Sequence, residues 1–278
     1  MKRQDAQTGG VSLAVKRFVC IALTTKHPTH RWEIGRRALG ALYEGAGRLA
    51  PEKVGFDDTH MRKGHLCATV EDVRPLWAPG AAQDDTIPSI YDAPTLYWKR
   101  AAPPKAEGSF GHTTRTRHGD IVPMTVRMLA GYKPDIDYLA LFMTWCALYR
   151  PLQGYVHLFT APEICEGYPR LIAGAGEFGM GGMWGRFRNG SFGSVRDQKT
   201  YNLGAANYFP GDILTDTKAA ALEAEGFSVT PLGEGRLLQL CAGLDAVAQD
   251  FASFSQRRVL AKRIIGSQLF VIGSEPGA

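Results

Sequence analysis

The chain lacks the cysteine arrangement of a disulfide scaffold, the ligand spacing of a zinc site and any long hydrophobic run. Its cysteines, Cys20, Cys67, Cys146, Cys165 and Cys241, are odd in number, widely scattered and without a CxxC pair. A secreted disulfide framework favours an even count in a shorter chain, and structural zinc needs four ligands, grouped in close pairs. These cysteines therefore read as buried free thiols in a reducing compartment. No window approaches the roughly 20 apolar residues of a membrane span. The early Lys2-Arg3 pair does not open a signal peptide, because Lys16 and Arg17 interrupt the apolar stretch behind it. The expected location is the cytoplasm. One sign of charge is only mildly in excess: 32 Lys+Arg against 27 Asp+Glu, a net +5. That balance permits an anionic partner without demanding one, and a dedicated nucleic-acid binder carries a stronger, clustered excess.

What charge excess there is gathers in one place. Between Thr95 and His118 lie Lys99, Arg100, Lys105, Arg115 and Arg117 against a single acid, Glu107. Tyr97, Trp98 and Phe110 are interleaved with them, and His112 and His118 sit among them. Strands are expected at 95–101, 109–118 and 121–129. In an extended 109–118 strand, His112, Thr114, Thr116 and His118 share one face and the two arginines the other. His112 and His118 then stand about 20 Å apart, too far for one active site. No nucleophile or metal cluster accompanies the segment, so it reads as a surface for contact. The partner-binding candidates are Tyr97, Trp98, Arg100, His112, Arg115 and Arg117.

A second candidate surface is the stretch 174–193, with eight glycines and Met183, Trp184, Arg186 and Phe187 among them. Glycine at this density costs too much entropy for a helix or strand interior, so a mobile surface loop with adhesive side chains is expected. Gly174–Gly179 is a literal GxGxxG. It lacks the upstream βαβ unit and the following helix that dinucleotide binding requires. Histidines 27, 30, 60 and 65 show no HxH or HExxH spacing. The acidic pairs Asp57-Asp58, Asp84-Asp85 and Asp135/Asp137 lie where Asp is a good turn residue. No catalytic residue, metal site or cofactor is assigned, and the chain is not expected to be an enzyme.

The remaining elements mix strand and helix. Strands are expected at 11–25, 65–69, 154–160, 227–231, 236–241 and 269–272. Helices are expected from about 29 to Pro51, at 70–77, 137–149 and 216–225, and at 244–264. Frequent hairpins argue an α+β fold, mostly antiparallel sheet with packed helices. The expected organisation is a flexible N-terminus at 1–10 and a single domain at 11–278, with two similar α/β halves, 11–130 and 131–278, as a further expectation.

The last seventy residues carry a family likeness. Ala206-Asn207-Tyr208-Phe209 is followed by a helix, then Gly226-Phe227-Ser228-Val229, Gly235-Arg236-Leu237-Leu238-Gln239-Leu240 and Leu244-Asp245-Ala246-Val247. This pattern resembles bacterial immunity proteins of contact-dependent toxin systems, particularly the type VI secretion immunity and immunity protein 52 groups. Arg31–Phe56 and Tyr155–Glu163 are compatible with it. The resemblance implies a non-enzymatic protein that binds a cognate secreted antibacterial toxin, such as a type VI nuclease effector, and occludes its active site. Inhibitors of nuclease toxins are often acidic, and this chain departs from that pattern. The competing expectations are an enzyme acting on a phosphorylated or nucleic-acid substrate through His112, Arg115, Arg117 and His118, and a nucleic-acid-binding module using the same strands.

Overall fold

The computed structural model describes residues 17–44, 47–58, 61–164, 182–193 and 199–276. The expected flexible residues 1–10, the GxGxxG stretch, His60 and Cys165 lie outside them. The strands are β1 (Phe18–Thr25), β2 (Lys53–Gly55), β3 (His65–Leu66), β4 (Leu96–Arg100), β5 (Ala106–Phe110), β6 (Thr114–Arg115), β7 (Ile121–Val122), β8 (Met124–Gly131), β9 (Gln153–Phe159), β10 (Ala206–Pro210), β11 (Ser228–Leu232) and β12 (Gly235–Gln239). The helices are α1 (Trp32–Tyr43), α2 (Tyr138–Tyr149), α3 (Ala161–Ile164), α4 (Met183–Arg188), α5 (Asp216–Ala224), α6 (Leu244–Gln249) and α7 (Phe251–Ile265).

Ten strands form one antiparallel sheet in the order β11-β12-β10-β9-β1-β8-β5-β4-β2-β3, and β6 pairs with β7 apart from it. This is the α+β architecture expected from the sequence. Strand β1 sits at the centre, paired with β8 on one side and β9 on the other. A central strand needs apolar side chains on both faces, and FVCIALTT supplies them. Val19, Ile21 and Leu23 point to one face, where α1 and α2 cover them. Cys20 and Ala22 point to the other, under Trp184 and Phe187 of α4. Farther along this second face, α5 and α7 pack over β10 and β12 through Leu222, Phe254, Ala261 and Ile265.

Two glycines permit close approaches on the first face. A Cβ on Gly35 of α1 would lie 2.5 Å from the Trp77 ring, and one on Gly108 of β5 would lie 2.7 Å from the Trp98 ring. Each indole is buried by occupying the space its glycine leaves.

Several expected elements differ in form. The 109–118 strand ends just past Phe110, where Gly111 makes a last bond to Thr125 and Thr113 turns inward to Thr25 and Thr29. The 244–264 helix is two helices, since Asp250 leaves helical geometry (φ −143°, ψ 80°) and caps α7 by accepting from the Ser253 N–H. Residues 267–269 form a 3₁₀ turn, and Phe270 makes a single parallel bridge to Thr200 instead of a last strand. Helix α1 ends at Tyr43, well before Pro51, and the short helix expected at 70–77 is a 3₁₀ turn over Glu71–Leu76.

Candidate functional site

The antiparallel register shows which expected contact residues share a face. Tyr97 stands opposite Ser109, Ser109 opposite Arg127, Arg127 opposite Ala22 and Ala22 opposite Tyr155. Facing residues in antiparallel pairs point to the same side, so this row lies on the second face. Lys99, Glu107, Leu129, Cys20 and His157 form the next row on that face. Trp98 points to the opposite face with Met128 and Ile21.

Arg127 joins the basic strands to the glycine-rich stretch. Its guanidinium donates to the Asn189 carbonyl at the end of α4 at 3.1 Å. Tyr155 donates its hydroxyl to the Phe187 carbonyl in the same turn. Gly190 (φ +72°) completes the contact: a Cβ there would lie 2.8 Å from the Arg127 side chain and 3.1 Å from Ala22. The two candidate surfaces are thus neighbours on one sheet face, a proximity with no signal in the sequence.

Their membership is narrower than expected. Trp98 is 1% exposed, His112 5%, Trp184 2% and Phe187 0%. All four are interior side chains, and they do not belong to an exposed contact surface. Trp184 and Phe187 sit in a helix whose apolar side packs on Tyr155 and Phe159, which corrects the expected loop over that stretch. Arg115, Arg117 and Arg186 are exposed; Tyr97, Arg100 and Met183 are half-buried. Arg100 turns toward Glu52 at 3.8 Å and donates to the Ala50 carbonyl. The residues of the competing enzyme reading are divided: His112 is in the interior, while Arg115, Arg117 and His118 stand exposed at and beside the β6–β7 pair.

Beside this row, a groove of about 480 Å³ opens between β4, β5, β8 and the start of β1. Phe18 and Leu129 give it apolar side chains, the backbone around Ala106 and Ala130 lines it, and Lys99, Arg100, Lys105 and Glu107 lie along it as well. Lys99 and Glu107 pair across the strands at 3.4 Å.

A buried electrostatic cluster lies under α7 and was not anticipated. Arg258, with no exposed side-chain surface, donates to Glu163 at 2.9 Å and to Glu275 at 2.8 Å. Lys262 completes the set through Glu275 and donates to the Ile272 carbonyl at 2.6 Å. Two cations and two carboxylates thus compensate one another in the interior. Burial alone would raise the Glu163 carboxyl, but His157 and Arg258 outweigh it and hold it below the usual range. Burial also depresses His157, against the pull of Glu163. A neutral imidazole beside an ionised acid makes the His157–Glu163 contact a hydrogen bond rather than an ion pair. Nε2 lies 3.0 and 2.9 Å from the two carboxylate oxygens and 3.2 Å from the Arg258 guanidinium. The imidazole is stacked between Phe187 and Phe254, and Arg258 lies 4.5 Å from the Phe254 ring centroid. The warning in the sequence was a histidine and an acid within the apolar run YVHLFTAPE.

His30 and His112 occupy a second interior pocket. His30 Nε2 meets the Asp84 carbonyl at 2.9 Å, and His112 packs edge-on against Trp77 with ring centres 4.9 Å apart. Burial, with His30 nearby, lowers the His112 pKa to about 4. Burial pushes the Cys20 thiol up to about 12, so this cysteine behaves as an apolar side chain. Asp84 and Asp137 act locally, binding the Thr86 N–H in a turn and capping α2 through the Ala140 N–H. Among the described residues no group of three or more His, Cys, Asp or Glu side chains could hold a metal ion. Nor, among them, is any helix long and apolar enough to cross a membrane.

The sequence matches no protein-family model and no curated protein. In structure, the chain is similar to a Pseudomonas aeruginosa T6SS protein, PA0821, with a TM-score of 0.50 and 14% identity. The match covers 91% of this chain and 73% of that one, and at this identity it is a likeness of fold.

Proposed function

We propose that this chain is a type VI secretion immunity protein. It binds a cognate antibacterial toxin in the cytoplasm of the producing cell, covers the toxin's active site and performs no chemistry itself. The observation that carries the reading is the shared fold with a T6SS protein over 91% of the chain. The immunity role comes from the C-terminal resemblance, Ala206–Phe209 through Leu244–Val247. The exposed cations and half-buried aromatic and Met side chains of the second sheet face supply the anchor chemistry that tight interfaces favour. Stable occlusion needs an interface of at least about 1,000 Å².

The test is co-expression of the full chain with the toxin encoded beside it in a sensitive host. Growth should be restored by this chain and not by an unrelated protein of similar size. Continued growth arrest, with both proteins present in soluble form, would overturn the reading.

A further inference from the structure

Among the described residues, the two faces of the sheet are covered unequally. The first face is covered from β2 to β12, where Val54, Trp98, Ile21, Val156 and Leu237 all lie in one core with α1 and α2. On the second face, α7 and α4 stand over β10, β9 and β1, and the cover meets β8 at Arg127, held by Asn189. Along β8 the second-face residues Thr125, Arg127 and Leu129 are only half-buried, while Val126 and Met128 on the first face are fully enclosed. Beyond Arg127 toward β4, among the described residues, the groove lies open between Phe18, Leu129, Lys99 and Glu107.

We propose that this groove is the docking site for an acidic segment of the toxin, one that places an apolar side chain between Phe18 and Leu129 and carboxylates against Lys99 and Lys105. The proposal rests on the toxin-binding reading and adds the place and the partner's chemistry. Charge selects the occupant. Lys99 and Lys105 line the groove with a single groove acid, Glu107, which is already shared with Lys99, while Arg100 at its edge is turned away to Glu52. Lys105 is exposed and its ammonium has no ion pair among the described residues. A second copy of this chain, docking by two-fold symmetry, would bring the same cationic rim against itself, which opposes self-association. An acidic segment gains from the same charges, which steer its approach and fix its register. Phe18 and Leu129 supply desolvated contact area beneath that rim.

The test measures binding of an inactivated form of the neighbouring toxin to the full chain at low ionic strength, with three variants. Lys99→Glu/Lys105→Glu should weaken binding at least about tenfold. Lys105→Glu alone, at an exposed side chain with no ion-pair partner among the described residues, should weaken it severalfold with an unchanged melting temperature. Arg36→Glu/Arg37→Glu makes the same charge change on exposed positions of α1, on the other side of the sheet, and should bind as the unmodified chain does. The difference should shrink as salt is raised. Groove variants that bind like the unmodified chain, or an α1 variant that weakens equally, would overturn the groove assignment while leaving toxin binding intact. Absence of binding by the unmodified chain would instead remove the toxin reading, and the groove assignment with it.

Discussion

Arg258 and Glu163 meet at 2.9 Å with no exposed side-chain surface on either residue. Their pairing, extended through Glu275 to Lys262, ties α7 to the turn after β9 and to the C-terminal segment. The arrangement is close to charge-neutral, which is the condition under which ionised groups persist in an interior.

Removing one member of that set should therefore cost far more than removing a surface pair. Arg258→Ala should lower unfolding stability by about 3–5 kcal/mol, because Glu163 is left buried without a permanent cation and Glu275 keeps only Lys262. Glu234→Ala, which removes only an exposed pairing with Arg150, should cost less than about 1 kcal/mol. Urea unfolding of both variants checks this, and equal small losses would show that the network is open to water.

The interior placement of two expected contact residues has an equally direct consequence. Trp98→Ala and Trp184→Ala should each destabilise the fold by about 3–5 kcal/mol through lost packing and residual cavities. Arg115→Ala and Arg117→Ala should change stability by no more than about 0.5 kcal/mol. Thermal unfolding separates the two groups, and tolerance of the tryptophan changes would contradict the packing described.

Acidification should weaken the fold through His112. Its folded pKa of about 4 lies below the ordinary histidine value of 6.5. The unfolded chain therefore binds the extra proton throughout that window, and stability falls as pH drops from 6.5 toward 4. A shift of this size corresponds to about 3 kcal/mol. His157, also depressed, acts in the same direction, and loss of the Glu163 carboxylate follows at lower pH. His112→Phe should flatten the stability profile between pH 6.5 and 4; an unchanged slope would show that His112 is hydrated in the folded state.

The elements legible in the sequence are those with local punctuation. Helix α5 and the β11–β12 hairpin fall within a residue or two of expectation, because Thr215 caps the helix, Gly226 (φ +75°) closes it and Gly233 (φ +58°) turns the hairpin. Asp137 likewise marks the start of α2. The breaks that were missed depend on distant partners. Thr113 leaves the strand path because Thr25 and Thr29 receive it. Trp98 turns inward because Gly108, on the neighbouring strand, has no side chain to fill the space. The proximity of Arg127 to Asn189, and of Arg258 to Glu163, exists only once the sheet is assembled. Alternation and charge located the basic strands, but only the register shows which of their residues face outward.

The most direct measurement of the central claim is calorimetric titration of the purified full chain with an inactivated form of the neighbouring toxin. A saturable, stoichiometric complex that also blocks the active toxin at equal molar ratio is the predicted result. No heat of binding at micromolar concentrations, together with undiminished toxin activity, would contradict it.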